Sequence, residues 1–206
     1  MTRVRKSSAG FTLIELIVVI ALIALSVALV GPRMMRSDSS SLRQAEVMVA
    51  SLLRTARSTA ILTTRDARLV VDWDLTSPTY LRALAVVADD DAGGWVLVAP
   101  LTILPENVAV VPPAPVPVVS GVSWGTKVES KMNDDMMPLR VPGRDVANFR
   151  YMNFTPAGGT ANGNKIIIAL CKQEEGTPKF YTTDWIRAFL MRTSGVATVL
   201  QDPSSL

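Results

Sequence analysis

A long uninterrupted apolar segment stands near the start of the chain, between a short polar leader and a sequence of mixed character that continues to residue 206. Between Phe11 and Gly31 the only charged residue is Glu15. A helix over this segment would extend about 31 Å at about 1.5 Å per residue, enough to cross the apolar core of a bilayer. The pattern therefore predicts a membrane-spanning helix over residues 11–31.

After Gly31-Pro32 the pattern becomes that of an amphipathic helix. Because Pro32 lacks a backbone N–H, we expect the helix to weaken or kink there, and Ser41 with Gln44 fits a capping box at which a helix restarts. The apolar positions then recur mostly every three or four residues, which is the helical period; they are Leu42, Ala45, Val49, Leu52, Leu53, Ala56 and Ala60. We expect this stripe to pack on a soluble domain and the helix to end near Thr63-Thr64.

The rest of the chain alternates β-branched and aromatic runs with turn-forming residues, which predicts strands. The Asp89–Gly94 segment is typical of a hairpin loop, and residues 127–142 are predicted to form a long loop. The predicted strands are Ala67–Trp73, Tyr80–Ala88, Trp95–Ala99, Val108–Val111, Val116–Val122, Asn148–Phe154, Lys165–Cys171, Trp185–Met191 and Ala197–Gln201.

These elements predict an α+β fold in which a long N-terminal helix packs on a β-rich antiparallel domain. The first half of that helix is expected to span a membrane, and its second half to be amphipathic. We divide the chain into a basic leader (residues 1–10), an apolar helix (11–31), its amphipathic continuation (32–64) and a β-rich globular domain (65–206).

The charge distribution bears on membrane topology more than on ligands. The chain has 21 basic and 18 acidic residues, and Arg3, Arg5 and Lys6 lie in a leader that contains no acid. Without the leader, basic and acidic side chains balance at 18 each. Because positive charge beside an apolar segment stays on the cytoplasmic side, the β-rich domain is expected on the opposite side. A near-neutral domain also argues against a surface that binds nucleic acid.

Candidate catalytic and metal-binding residues are few. The chain has no histidine, which is the commonest general base and metal ligand. Cys171 is the only cysteine, so no intrachain disulfide forms, and its strand context indicates a core residue. Asp89, Asp90 and Asp91 supply oxygen ligands of the type that calcium prefers, although such a run is more often simply solvated. We predict no catalytic site, no metal site and no cofactor.

The junction between leader and apolar segment resembles the cleavage and methylation signature of type IV prepilins and type II secretion pseudopilins: Gly10-Phe11-Thr-Leu-Ile-Glu15-Leu16. A basic leader, a Gly before Phe, a Glu five residues into the segment and Pro32 after it coincide here. The resemblance implies that a membrane peptidase, the prepilin peptidase, cuts after Gly10 and methylates the new amine of Phe11.

The same resemblance gives Glu15 a role in assembly. In the family, the Glu at this place is thought to meet the N-terminal amine of a neighbouring subunit. A buried carboxylate is tolerated when an opposite charge accompanies it, so this pairing agrees with the cost of placing Glu15 in an apolar segment.

Three later segments resemble the H-type minor pseudopilins: Arg57-Ser-Thr-Ala-Ile61, Phe154-Thr-Pro-Ala-Gly158 and Phe189-Leu-Met-Arg-Thr-Ser-Gly195. A polar insertion around residues 123–145 departs from that family. The resemblance implies a non-enzymatic minor pseudopilin-like subunit of a type II secretion system. It would sit in the inner membrane with its β-rich domain in the periplasm, and join other pseudopilins or pilins through its N-terminal helix in a short filament for protein export.

Three alternatives remain at this point. The first alternative is a minor type IV pilin for pilus assembly or DNA uptake, although residues 201–206 contain no Lys or Arg. The second alternative is a membrane-anchored binding domain that never polymerises. The third alternative is an ordinary secretory signal, cut after Ser26-Val27-Ala28. Two observations argue against it: the apolar run continues through Val30, and Glu15 is unusual in such a signal.

Overall fold

The computed structural model describes residues 13–90, 92–125, 127–141, 144–161, 164–192 and 194–201, with the backbone alone at 23–37, 140–141 and 144–147. The chain divides into two compact units, residues 1–37 and residues 38–206. One helix, α1, is assigned from Leu13 to Thr63, and all described strands lie in the second unit.

The bounds of α1 correct one prediction and confirm another. Ser41 and Gln44 lie inside the helix, so the predicted restart at a capping box is wrong: no free helix N-terminus exists there for a cap to satisfy. The helix ends at Thr63, as predicted, and Thr64 has a left-handed backbone with φ of 55°. That conformation cannot continue a right-handed helix.

The predicted apolar stripe is confirmed, because all seven of its residues are buried. Their exposed fractions run from 0% to 7%, the largest being that of Leu52. The stripe belongs to one apolar cluster that also contains Leu69 and Phe154 from one sheet and Ile168 and Phe189 from the other. The second half of α1 therefore fills the space where the inner faces of two sheets meet.

Eleven described strands form two antiparallel sheets. The first sheet has the order β3-β2-β1-β7-β6, with β4 also paired to β2, and the second has the order β11-β10-β8-β5, with β9 also paired to β8. The strands are β1 Ala67–Asp72, β2 Ala83–Asp89, β3 Trp95–Leu97, β4 Thr102–Ile103, β5 Val108–Val110, β6 Met137–Val141, β7 Arg144–Phe154, β8 Lys165–Glu174, β9 Thr177–Phe180, β10 Ile186–Met191 and β11 Ala197–Leu200. The predicted α+β fold, with a helix packed on antiparallel sheets, is confirmed.

One strand prediction is wrong, and the predicted strand Tyr80–Ala88 begins three residues too early, since β2 runs from Ala83 to Asp89. Residues 116–122 form no strand and make only an isolated bridge between Val118 and Phe180, since Pro115 and Pro117 remove backbone donors from the segment. Tyr80 precedes β2 in a turn built around the buried carboxylate of Asp72, which accepts hydrogen bonds from the hydroxyls of Ser77 and Thr79.

The segment predicted as a long loop, residues 127–142, contributes β6 to the edge of the first sheet. Met137 and Leu139 alternate onto one face and are both 5% exposed, so this short amphipathic run is stabilised by pairing with β7 and by packing on the outer face of the sheet. The strands β4 and β9 were not predicted. The strand β9 contains Pro178 and follows a two-residue turn in which Glu175 and Gly176 both have positive φ.

The first part of the polar insertion around 123–145 covers the outer face of the second sheet. The ring of Trp124 lies 5.4 Å from that of Phe180, and its Nε1 donates to the carbonyl oxygen of Val128 at 2.7 Å. Lys165 is 8% exposed and its ammonium donates to the carbonyl oxygen of Lys127 at 2.7 Å. Burial, together with the nearby positive charge of Lys131, lowers the pKa of Lys165. This first part of the insertion therefore packs on the domain.

One arginine joins α1 to both sheets. Arg57 Nε donates to the carbonyl oxygen of Gly158 at 3.2 Å, in the turn after β7, and to that of Ser194 at 3.1 Å, in the turn before β11. Gly195 packs so closely on Gly158 that an added methyl group would lie 1.7 Å from the Gly158 carbonyl oxygen. We call Arg57, Gly158, Ser194 and Gly195 the Arg57 clasp; it brings together the three later segments that resemble H-type pseudopilins.

The clasp predicts a large effect of one methyl group. Gly195→Ala should destabilise the β-rich domain by about 2–5 kcal/mol, because it combines an unfavourable positive φ with a backbone clash that forces the turn to move. The measurement is chemical unfolding followed by circular dichroism.

Gly176→Ala is the matched control. Its φ of 79° is similar to the 71° of Gly195, but nothing lies within 4 Å of the added methyl group. It should therefore cost only about 1 kcal/mol, from the backbone conformation alone. Equal losses in the two variants would contradict the close packing of the clasp.

Candidate processing and assembly segment

The residues predicted for processing and assembly lie in the first unit. Gly10 and Phe11, the predicted cleavage and methylation positions, are outside the described residues. Glu15 is described: its side chain is exposed, in the first turn of α1 as assigned. Amide groups near the start of a helix carry partial positive charge, so a carboxylate is favoured at this end.

The segment around Glu15 exposes apolar side chains on every side of the helix. The exposed fraction ranges from 49% at Val19 to 79% at Leu13. The members of this apolar collar are Leu13, Ile14, Leu16, Ile17, Val18, Val19, Ile20 and Leu22. Since removing apolar surface from water contributes about 25 cal/mol per Å², a helix of this kind is stable only when lipid or other helices surround it. The collar is therefore an exposed apolar surface that surrounds this part of α1.

Membrane insertion itself stays a prediction. Within the part of the chain that the structure describes, no helix combines the length and the hydropathy needed to cross a membrane.

The acidic loop between β2 and β3 has a local structural role. Asp90 Oδ1 accepts backbone N–H bonds from Ala92 at 3.0 Å and from Gly94 at 2.7 Å, which holds the hairpin turn closed. Among the described residues, no group of three acidic or cysteine side chains is placed to hold a metal ion. Asp91, the third carboxylate of the run considered for calcium, lies outside the described residues.

Cys171 occupies the core position that its strand context predicts. It is 2% exposed, and burial raises the pKa of its thiol to about 12. A thiol held neutral in this way is a poor nucleophile and a poor metal ligand, which agrees with a packing role.

A cation–aromatic cluster covers the outer face of the first sheet and was not predicted from the sequence. The guanidinium carbon of Arg68 lies 3.8 Å from the ring centroid of Trp95 and 3.9 Å from that of Tyr151. Its Nε donates to Asn153 Oδ1 at 3.3 Å. Burial lowers the pKa of Arg68. Stacking between two rings places the charge against aromatic faces and ties β1, β3 and β7 together.

A groove runs along the second half of α1 beside the edge strand β11, and it too was not predicted. It encloses about 580 Å³ and is lined on the helix side by residues 50–62 and on the strand side by residues 195–199. The Arg57 clasp closes part of its wall. The residues that line it are Ala50, Leu53, Arg54, Arg57, Ser58, Ile61, Leu62, Gly195, Val196, Ala197 and Val199.

Comparison with known structures gives weak similarities. The chain is similar to the minor pseudopilin EpsH from the type 2 secretion system of Vibrio cholerae, at 12% identity and a TM-score of 0.46, over 79% of this chain and 97% of that one. It is also similar to the type IV minor pilin FimU of Pseudomonas aeruginosa, at 16% identity and a TM-score of 0.42, over 81% of this chain and 92% of that one. Identity and TM-score are both low, so neither similarity assigns the function.

Comparison by sequence is specific for the N-terminal segment. No curated protein matches the chain. Residues 5–31, however, match the model of the prokaryotic N-terminal methylation motif, which covers Gly10, Phe11 and Glu15. In its N-terminal segment, the chain is type IV prepilin-like.

Proposed function

We propose that this protein is a minor pseudopilin-like structural subunit of a type II secretion system. Residues 11–31 anchor it in the inner membrane, and the β-rich domain lies in the periplasm. After processing by prepilin peptidase, the subunit joins other pilin-like subunits in a short filament that serves protein export. The observation that carries the proposal is the N-terminal methylation motif at residues 5–31, within which the apolar collar of α1 lies.

The proposed assembly step follows from spacing along one helix. Cleavage after Gly10 creates a positive amine on Phe11, four residues before Glu15. Side chains four apart share a helix face, so one face of each subunit presents an amine and a carboxylate. Two subunits staggered along the filament axis then pair the amine of one with the carboxylate of the other inside an apolar bundle. Catalysis is no part of this role, which agrees with the absence of histidine from the sequence.

Processing gives the first test. The mature chain should begin with methylated Phe11, and Gly10→Val should leave the uncleaved precursor in the membrane, since the apolar span is untouched and the site of close peptidase approach is blocked. Mass spectrometry of the N-terminus distinguishes the forms.

The control for Gly10→Val is Ala9→Val, which adds bulk beside the cleavage position and should still be processed. A mature N-terminus at Leu29 would instead identify an ordinary signal peptide and would contradict the proposal.

Glu15 gives the second test. Glu15→Leu removes a costly carboxylate from the apolar segment, so membrane insertion should be unchanged or improved. Assembly should nevertheless fail, because breaking one side of a buried ion pair costs about 3–5 kcal/mol. Glu15→Asp should be intermediate, since it keeps the charge but shortens the reach. The measurements are crosslinking to partner subunits and membrane fractionation.

Asp184→Leu removes an exposed carboxylate from the β-rich domain and serves as the control; it should crosslink like the wild type. Wild-type crosslinking by Glu15→Leu would leave the anchored binding domain that never polymerises as the better description.

A minor type IV pilin is the second candidate, because the methylation motif is expected in pilins as well as pseudopilins. The three segments that form the Arg57 clasp resemble H-type pseudopilins, and this favours secretion. Loss of the protein should therefore reduce extracellular enzyme levels and leave surface pili in place. Loss of pili with normal secretion would assign it to a pilus.

A further inference from the structure

The second sheet has an open edge at β11. Among the described strands, β11 pairs only with β10, so its other side is unoccupied by any of them. Arg192 N donates to the carbonyl oxygen of Val196 at 3.1 Å, so these two residues form a hydrogen-bonded pair. Because hydrogen-bonded and non-hydrogen-bonded pairs alternate along an antiparallel ladder, this bond fixes which β11 residues bond to β10. Residues 196, 198 and 200 turn their backbone groups toward β10. Ala197 and Val199 therefore turn their N–H and C=O groups toward the open edge.

The groove beside this edge is apolar and exposed. Leu62 is 82% exposed, Val196 49% and Ile61 40%, and all three line the groove. Ala197 and Val199 line it as well, so the outward backbone groups and the apolar surface lie side by side. An extended segment placed here would meet hydrogen-bonding groups along one side and apolar side chains along the other.

The groove is also one-sided in charge. Arg54 and Arg57 line it, and its described lining residues include no acidic side chain. Arg57 is held by the clasp, whereas Arg54 is exposed on the adjacent turn of α1. This charge complements a segment that carries a carboxylate.

We propose that β11 and the groove accept an extended segment of a neighbouring pilin-like subunit, which adds a strand to the second sheet. The occupant combines apolar side chains, which face Ile61, Leu62 and Val196, with at least one carboxylate that pairs with Arg54. Its backbone bonds to the outward groups of Ala197 and Val199, as in other cases of strand addition. The source of the segment rests on the proposed function, since it takes the neighbour to be a filament subunit.

The experiment uses the full-length protein in its own membrane, with a photo-crosslinking residue at position 62 in the groove. Leu75, which is 69% exposed and outside the groove, is the control position. Position 62 should crosslink to an acidic and apolar segment of another prepilin-type subunit, identified by peptide mass spectrometry, and position 75 should not. Crosslinking to residues 202–206 of the same chain, or to a second copy of this protein, would overturn the proposal.

Val199→Pro tests the strand pairing. Proline removes the outward N–H at a position where an edge strand tolerates it, so the fold should be retained while the crosslink at position 62 falls about tenfold. Val199→Ala is the matched control: it loses more apolar surface but keeps the N–H, and should crosslink nearly as the wild type does. An equal fall in both variants would show that side-chain packing, not strand addition, holds the partner.

Arg54→Glu tests the charge and does not depend on β11. It should reduce the crosslink about tenfold, whereas Arg43→Glu, on the same helix outside the groove, should leave it unchanged. A photo-crosslinker at position 18, in the apolar collar, distinguishes failure of the groove inference from failure of the proposed function. Crosslinks at 18 without crosslinks at 62 overturn the groove inference alone; loss of both overturns the proposed function with it.

Discussion

The packing of one helical stripe against two sheets is the contact on which the rest of the domain depends. Each sheet presents alternate residues to α1. Among the described elements, no other helix covers the inner face of either sheet. A sheet with one bare apolar face is not stable in water, so both sheets require the helix. Shortening a buried Leu of such a stripe typically costs about 2–5 kcal/mol, a large part of the stability of a domain. The Arg57 clasp then fixes where along the helix the two sheets meet.

The two halves of α1 differ in where their apolar side chains lie. From Leu42 onward its apolar residues occupy one stripe and are buried within the chain, whereas from Leu13 to Leu22 they surround the helix and are exposed. A helix that is apolar all round requires lipid or other proteins as its environment, and an amphipathic helix requires only its own domain. The change of pattern along α1 therefore separates the residues that pack within the chain from those whose apolar side chains are exposed.

What the sequence predicts correctly depends on patterns that are strong over many residues. The stripe extends over five turns of helix and every member is buried, as its period predicts. The longer strands are correct for the same reason. The strands that were missed are short or contain proline, as β4 and β9 do, or lie in polar surroundings, as β6 does. The valine-rich segment 116–122 was wrongly predicted because its prolines outweigh its β propensity.

The clasp and the groove lie beyond this kind of prediction, since both join residues that are distant in the sequence. Arg57 contacts positions 101 and 137 residues away, and no local period encodes such a contact. The resemblance to H-type pseudopilins marks the three segments involved, yet it does not say that one guanidinium holds them together. The N-terminal motif is the reverse case: Gly10, Phe11 and Glu15 are recognised from the sequence alone, because the motif is a linear pattern of residues.

Exposed apolar surface and an open strand edge both favour association. An exposed edge strand is a site at which chains join, and natural proteins usually protect it with charge, proline or a covering loop. Here β6 is irregular at its bulge, and β9 carries Pro178, whereas β11 pairs with β10 in regular register and lies beside apolar residues of α1. Any partner that binds the folded subunit and not the unfolded chain stabilises it by mass action. A chain with an apolar collar and an open edge at β11 should therefore be more stable when a partner covers either surface than when both are exposed.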